Sequence, residues 1–375
     1  MIKVFFIDPQ SYNNLEVYDY NLLKKFSDIQ IQFYANENFE KEFCNGIKIH
    51  RLFKYTRYKF KIFKALDYSI SIIILFLKTI LQKPDIIHIQ WIRLWVIDYM
   101  YLILVKSFTS VKIVYTAHNL LPHEPRKRDF LIYKRYYKLV DAIITHSNVT
   151  KDELARSFSL PVAKIHVIPH GLLEYSLDVN EVEKTKNNLM NKYSTPNRIV
   201  FASLGVQSFY KGSDLIMDVW KNNTILHDEA KYRLLILGKN NNIDFSSIKE
   251  ISNVYIEDRF LSNNEFKAIL GITDVLLMPY REISQSGVLL TAINERTPVL
   301  VTDIGALSEP LNIADIGWNI GKPEFKNLET NILKIILDTN SIKKKKNNTT
   351  GWNKIHEYYN WQQISIKTSL LYHSL

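Results

Sequence analysis

Two short stretches place a glycine beside a polar or cationic residue where a helix should begin. They are Lys211-Gly212-Ser213-Asp214, ahead of the helical pattern LIMDVW, and Ser284-Gln285-Ser286-Gly287, between a buried run at Asp274–Met278 and another at Pro298–Thr302. A helix N-terminus offers unpaired N–H groups and the positive end of the macrodipole, and glycine lets an anion approach the backbone. An ammonium beside such a start adds a full charge. Ser286 as a plain cap and Gly287 as a packing position would give the same letters. Two such starts in one half of the chain can converge on a diphosphate. A third candidate is His118, which follows the apolar run Lys112–Thr116, stands next to Asn119 and lies five residues before His123-Glu124. A lone imidazole after a strand is usually structural, and the neighbouring Asn119 and the run His123-Glu124 are what favour a site.

Strand, loop, helix and strand between Asp274 and Pro310 make a βαβ unit, whose crossover should be right-handed. Its polar loop, Tyr280–Gln285, then lies at the C-terminal edge of a parallel sheet, where open α/β sheets bind ligands. Apolar runs recur along the chain at Ile2–Ile7, Ile29–Tyr34, Ile47–Leu52, Asp85–Gln90, Lys112–Thr116, Ala142–His146 and Ile165–Ile168. A second series comprises Ile199–Leu204, Tyr232–Gly238, Val254–Glu257, Asp274–Met278 and Pro298–Thr302. Helical patterns separate most of them, as a doubly wound sheet requires. The fold class is therefore α/β, with two Rossmann-like parallel-sheet domains. The expected boundaries are residues 1–172, a polar hinge at 173–197, a second domain at 198–352, and a last helical segment, 353–375, returning to the first. Thr150 and Glu153 have capping-box spacing, and Lys343–Asn348 reads as a solvated linker.

The chain has 375 residues, too many for one ordinary core, and its 46% hydrophobic and 13% aromatic content excludes a disordered polymer. A net charge of +10 and pI of about 9.2 favour phosphate-bearing ligands, nucleic acid or an anionic membrane without choosing among them. A single cysteine, Cys44, excludes an internal disulfide and a cysteine metal cluster, and fits a reducing compartment. The opening MIKVFFIDP reads as a strand rather than a signal peptide. The following segment, Asp8–Leu15, has no glycine, which removes the main support for a nicotinamide-dependent oxidoreductase. Arg51–Lys64 carries Arg51, Lys54, Arg57, Lys59, Lys61 and Lys64, interleaved with aromatics and without an acidic residue. The apolar run Ser69–Leu77 behind it is too short for a bilayer. Two readings survive: a helix packed on the sheet behind a basic face, or a patch on an anionic membrane surface. Arg126–Lys138 is a second basic aromatic segment.

The motifs DIIHIQ, YTAHN, VDAIITHS, IHVIPHG, LGVQSFYKGSDLI, YRLLILG, DVLLMPYREISQSGVLLTA and TPVLVTDIGALSEP, in this order between Asp85 and Pro310, resemble those of the family-four glycosyltransferases of GT-B architecture. HNLLPHE and SQSGV are similar to the bacterial branch that builds capsular, exo- or lipopolysaccharide. The resemblance implies two Rossmann-like domains facing a cleft and transfer of a hexose-type sugar from a UDP- or GDP-sugar to a saccharide or lipid-linked acceptor. It implies Lys211 on the donor diphosphate, with Ser286, Gly287 and Val288 at the phosphate-binding helix start. It further implies Gly205, Gly212, Arg259, Glu282, Ser284, Gln285, Thr291 and Glu309 on the donor side. Catalytic roles fall to His118, Lys211 and Glu124, and the acceptor side to Asn13, Asn119 and His123. No divalent-metal motif such as DxD stands between apolar strands, so transfer without a metal or other cofactor is expected; the family precedent is retention, and an inverting enzyme would need a carboxylate base, for which Glu124 and Asp98 are candidates. The chain departs from the family at Val206 and Ser208, where an arginine is frequent. It departs again at Ile283 and Thr291, which occupy the places of a ribose-binding glutamate pair, and in the glycine-free first loop. The competing readings are another GT-B activity such as a nucleotide-sugar epimerase, a nucleic-acid-binding protein, and a GT-B scaffold without turnover. The expected location is cytoplasmic, peripheral on the inner face of the membrane, with no nucleic-acid partner.

Overall fold

The computed structural model describes all residues except 44–45, 122–126 and 175–176, together with the side chains of Asn14 and Lys127. Cys44, His123, Glu124 and Arg126 thus lie outside the described residues. The chain forms two compact units, Met1–Gly171 with Tyr359–Leu375, and Leu172–Tyr358.

The first unit is a seven-stranded sheet of β1 (Ile2–Asp8), β2 (Ile29–Asn36), β3 (Lys48–Phe53), β4 (Ile86–Ile89), β5 (Lys112–Thr116), β6 (Ala142–Thr145) and β7 (Ile165–Val167). All pairs are parallel, in the order β3-β2-β1-β4-β5-β6-β7, so the order reverses between β1 and β4. Burial on both faces explains why these strands read as continuous apolar runs. Successive side chains of β1 point to opposite faces. Phe5 and Ile7 join one core with Tyr68, Leu75 and Leu102, while Val4 and Phe6 join another with Leu22, Phe33 and Trp361. The helices are α1 (Glu16–Leu23), α2 (Lys61–Gln82), α3 (Trp95–Phe108), α4 (Lys127–Leu139) and α5 (Asn148–Phe158), joined by the C-terminal helix Trp361–Ser374. Helix α5 is capped by Ser147, whose side chain accepts from Thr150 N, so the cap lies three residues before the expected Thr150. The run Ser69–Leu77, expected as short, is the middle of the 22-residue α2, which by length and composition alone could cross a membrane.

The second unit has β8 (Ile199–Leu204), β9 (Tyr232–Leu237), β10 (Val254–Glu257), β11 (Val275–Met278), β12 (Val299–Val301) and β13 (Gly317–Asn319) in the order β10-β9-β8-β11-β12-β13, again all parallel. Its switch point is β8/β11. The helices are α6 (Val179–Lys192), α7 (Ser213–Asn222), α8 (Ser246–Lys249), α9 (Asn263–Ile272), α10 (Gly287–Asn294), α11 (Glu309–Ile313), α12 (Phe325–Leu337), α13 (Asn340–Lys346) and α14 (Thr349–Tyr358); Trp361–Ser374 is α15.

Several segments differ from their sequence reading. The polar stretch 173–197 contains α6, which packs on α9 and buries Val182 and Leu189, a stripe too thin to stand out among lysines and asparagines. The lysine run is not a solvated linker. Lys345 is buried, bonded to Asp315 with its ammonium 4.9 Å from the Trp318 ring centroid, and Lys346 pairs with Asp274 at 2.6 Å. The final helical segment is two helices. Helix α14 stays with the second unit through buried Trp352, whose indole N–H donates to Lys345 O at 2.9 Å, and α15 restarts at the cap Asn360. Trp361 then fits against Gly171, where a Cβ would lie 2.2 Å from the indole. Strand β13, a three-residue edge strand, carries too little pattern to be read from sequence.

Candidate functional site

The C-terminal edge of the second sheet gathers the anion-binding residues at its switch point. Strand β8 ends at Leu204, and Gly205 turns with φ +88°; a Cβ there would lie 2.9 Å from Lys211 Nζ and 3.4 Å from Val288 Cγ2. The turn Phe209–Lys211 closes on Gly212 at φ +72°, where a Cβ would sit 2.2 Å from Pro279 O. Both glycines thus satisfy a left-handed backbone and a close approach at once. Gln207 fixes the turn. Its amide donates to Gly205 O at 2.9 Å, and its Oε1 accepts from Ser203 and Ser213 hydroxyls at 3.0 and 2.9 Å.

Lys211 rests its ammonium 5.4 Å from the centroid of the Tyr280 ring. Burial alone lowers its pKa to about 8, and among the described residues no carboxylate pairs with it. A desolvated cation without a counter-ion favours an anionic ligand. Ser286 caps α10 by accepting from Leu289 N at 3.3 Å, leaving the first amides of the helix, from Gly287 and Val288 on, without intrahelical acceptors. Lys211, Gly205 and Val288 are therefore together, with Gly212 and Ser286 shaping the two loops that hold them.

The other expected donor residues fall into three groups. Glu282 lines a cavity of about 460 Å³ together with Ser208, Phe209, Tyr210, Asn241, Asn242 and Arg281. Ser284 and the carbonyl of Ile283 support the next loop, where Gly305 (φ +56°) brings its Cα so close that a Cβ would lie 1.9 Å from Ile283 O. Gln285 is half-buried in the same loop, and Glu309 opens α11 with its charge acting on Tyr358. Arg259 follows the outer strand β10 and is held by Glu257 at 2.8 Å and Glu265 at 2.6 Å, the latter also closing the capping box of α9. Its guanidinium serves that network. Thr291 is buried and returns its hydroxyl to Gly287 O at 2.8 Å, so it offers no carboxylate to a ribose.

Sequence reasoning missed three residues here. Tyr280 lies beside both Lys211 and Ser286, its phenol pushed up by burial. Arg281 forms paired 2.7 Å bonds with Asp214, stacks 3.9 Å from the Phe209 ring centroid and donates its backbone N–H to Tyr210 O at 2.7 Å, tying the two glycine-bearing loops. Gln207 is the third. Only the segment MPYRE, polar directly after a buried strand, hinted at the first two.

The C-terminal edge of the first sheet has a different chemistry. His118 stacks on Trp91 with ring centroids 4.6 Å apart, meets Tyr18 edge-on, and contacts Gln90 Oε1 through Nε2 at 2.9 Å and His146 Nε2 through Nδ1 at 3.1 Å. His146 Nδ1 lies 2.9 Å from Ile168 O. Gln90 in turn faces His88 Nε2 at 3.1 Å. Burial holds His118 well below the usual imidazole range and pulls His146 and His88 to about 3 and His170 to about 4, so all four are neutral near pH 7. Two neutral rings carry two N–H protons, whereas three contacts ending on two carbonyl-type acceptors need three. Turning the Gln90 amide resolves the count: its NH2 donates to His118 Nε2, His118 Nδ1–H donates to His146, and His146 Nδ1–H donates to Ile168 O. Neutrality thereby fixes the tautomer of His118.

Beside this chain, Asp8 ends β1 and meets Asp19 of α1, both buried, with no hydrogen bond donated to either Asp19 oxygen among the described residues. Burial pushes Asp8 up to about 7 and Asp19 well above the carboxylate range, so Asp19 keeps its proton near pH 7. Asn13 is exposed at the start of a short turn with φ 54°, and Asn119 is half-buried next to His118. Asp98, a candidate base by sequence, is committed elsewhere. Its carboxylate accepts from Tyr68 OH at 2.5 Å and from Arg93 N and Leu94 N at 2.8 Å, inside the helix layer. A larger cavity, about 720 Å³, opens at the opposite, N-terminal edge of this sheet, around Ile2, Pro84, Lys112 and Leu375; strand polarity makes it the less suitable ligand site. Among the described residues no group of three or more His, Cys, Asp or Glu could hold a metal.

Residues 27–172 match the family model described as Glycosyltransferase Family 4. The match lies within the first unit and spans under half of the chain, and the two all-parallel sheets fit a GT-B architecture. No curated protein matches the sequence. Among solved structures, sucrose-phosphate synthase (tll1590) from Thermosynechococcus elongatus is similar at 13% identity and TM-score 0.72, covering 100% of this chain and 99% of its own. Anabaena Alr3699/HepE in complex with UDP-glucose matches at 13% identity and TM-score 0.71, with both chains covered completely (100%). The lipopolysaccharide outer core galactosyltransferase WaaB, in its apo form, matches at 14% identity and TM-score 0.66, also with 100% of both chains. At these identities the likeness concerns the fold.

Proposed function

We propose that the protein transfers a hexose-type sugar from a nucleotide-sugar donor, of the UDP or GDP kind, to a saccharide or lipid-linked saccharide in bacterial surface polysaccharide synthesis. The observation that carries this reading is the half-buried, carboxylate-free ammonium of Lys211 gathered with Gly205 and the start of α10. The Anabaena relative holds UDP-glucose, which supports a donor of that chemistry. As the anomeric C–O bond breaks, the leaving diphosphate gains charge. A fixed ammonium and oriented amides stabilise that charge most in the transition state, without a metal. The neutral imidazole of His118 would hold a sugar hydroxyl at Nε2 by exchanging its Gln90 contact for the ligand, while Nδ1–H stays on His146. The reaction is proposed as retaining, with the nucleotide's own phosphate helping to deprotonate the acceptor, and the enzyme as cytoplasmic and peripheral to the membrane.

The test is a thermal-shift panel with UDP, GDP, ADP, CMP and their sugar conjugates, without metal, on wild type and Lys211→Ala. Ligands that bind only the folded form raise its apparent stability. A selective shift lost in the variant is expected. No shift with any nucleotide would overturn the reading in favour of a scaffold or nucleic-acid binder.

A further inference from the structure

The outer surface of α2 is unusual for a helix on an aqueous surface. After Lys61 every exposed position in it is apolar, and Ile62, Leu66, Ile70, Ile73, Leu77 and Leu81 follow one another at steps of three or four residues. Such steps keep side chains on one face, here ~28 Å long from first to last. The opposite face is already used: Tyr68, Ile72, Leu75 and Thr79 are buried in the first unit, with Tyr68 bonded to Asp98. Helix α3 packs alongside, joined by an edge-on Phe76–Phe108 contact, and all its exposed positions but Ser107 are apolar too, including Trp95, Met100 and Ile103. A patch this continuous marks an interaction site rather than ordinary surface scatter.

We infer that the outer faces of α2 and α3 seat the first unit on an anionic lipid surface, with α2 lying in the plane of the interface. This deepens the proposed peripheral membrane contact and rests on that part of the reading, not on the donor chemistry. The charge pattern selects the occupant. Lys59, Lys61 and Lys64 flank the N-terminal end of the stripe, and among the described residues no carboxylate pairs with them. Apolar burial with a basic margin is the combination that binds anionic headgroups. A second copy of the chain on the same patch would bring together two chains that each carry a net charge of +10 and would leave the basic margin without acidic partners. A spanning arrangement would expose the buried face of α2, including the Tyr68–Asp98 bond, to lipid.

Cosedimentation of the full chain with phosphatidylcholine vesicles, with and without phosphatidylglycerol, tests the inference. Two variants separate its components: Ile70→Gln/Ile73→Gln/Leu77→Gln on the apolar stripe, and Lys59→Gln/Lys61→Gln/Lys64→Gln on the margin. All six side chains stand outside the core, so both should melt like wild type. Wild type should bind only where phosphatidylglycerol is present. The lysine variant should lose roughly 100-fold in partitioning, at about fivefold per lysine, and the apolar variant at least as much. Equal binding to both vesicle types, or unchanged binding by the two variants, overturns it. So does a dimer in light scattering that the apolar variant disperses while wild type ignores vesicles. Nucleotide-induced thermal shifts of the variants read the donor site separately, so failure here and failure of the transferase reading are distinguishable.

Discussion

The two sheets share a topology rule and use their C-terminal edges in opposite ways. At β8/β11 a fixed positive charge is collected: Lys211 is half-buried and desolvated without a carboxylate partner among the described residues, and glycines let the two loops close around it. At β1/β4 charge is suppressed: four imidazoles are neutral and two carboxyls titrate above their usual range, all chiefly by desolvation. The same low dielectric that strengthens one edge for an anion removes the charge of the other. The chemistry of an edge in this fold is set by whether its side chains are desolvated with or without a ligand to answer them.

The strongest way to break this contrast is Lys211→Met. Nucleotide-sugar affinity and turnover should fall by roughly 100-fold or more, measured by titration and steady-state kinetics. Stability without ligand should hold or rise, because a lysine whose folded pKa is depressed below its unfolded value weakens the folded state near neutral pH. A variant that unfolds instead would mean that Lys211 is structural. On the other edge, His118→Ala should lower kcat by roughly 10- to 100-fold while leaving donor Kd near wild type. Equal losses in both would place His118 with ground-state binding.

Asp19→Asn sharpens the same contrast through stability. With folded pKa values above the unfolded carboxylate range, the Asp8–Asp19 pair makes wild type lose stability as pH rises from about 4 through the folded value of Asp8 near 7. The amide of the variant can donate to Asp8 and let it ionise, so this loss, on the order of 4 kcal/mol, should flatten in denaturant titrations between pH 4 and 8. A curve parallel to wild type would show that the Asp8–Asp19 pair does not carry the pH dependence.

Much of this was readable in the sequence because the signals were local. Buried parallel strands are continuous apolar runs, and every expected run became a strand; Gly212, Ser286 and Gly287 stand at helix starts that their types announce. The histidine chain was not readable, because His88, His118, His146 and Gln90 lie on three separate strand ends and only the sheet order assembles them. Arg259 shows the opposite case, a local signal whose partners the sequence does not announce. Its position after a strand fits a ligand contact, but Glu257 and Glu265 reach it first. The lysine run at Lys343–Lys346 likewise looked solvated until Asp274 and Asp315 arrived from other elements.

The smallest expected effect probes how the cationic edge is held before any ligand arrives. Arg281 joins the two glycine-bearing loops by a two-point bond to Asp214, a stack on Phe209 and a bond to Phe209 O. Lysine in its place keeps the charge but loses the fork geometry and the planar stack. Since both partners of the pair remain about one-fifth exposed, stability should change by less than ~1 kcal/mol. Donor affinity should nevertheless fall several-fold, because the Phe209–Lys211 turn would no longer be ordered in advance of the diphosphate. An affinity equal to wild type would mean that Gln207 and the glycines suffice to position Lys211, leaving Arg281 as a surface clasp.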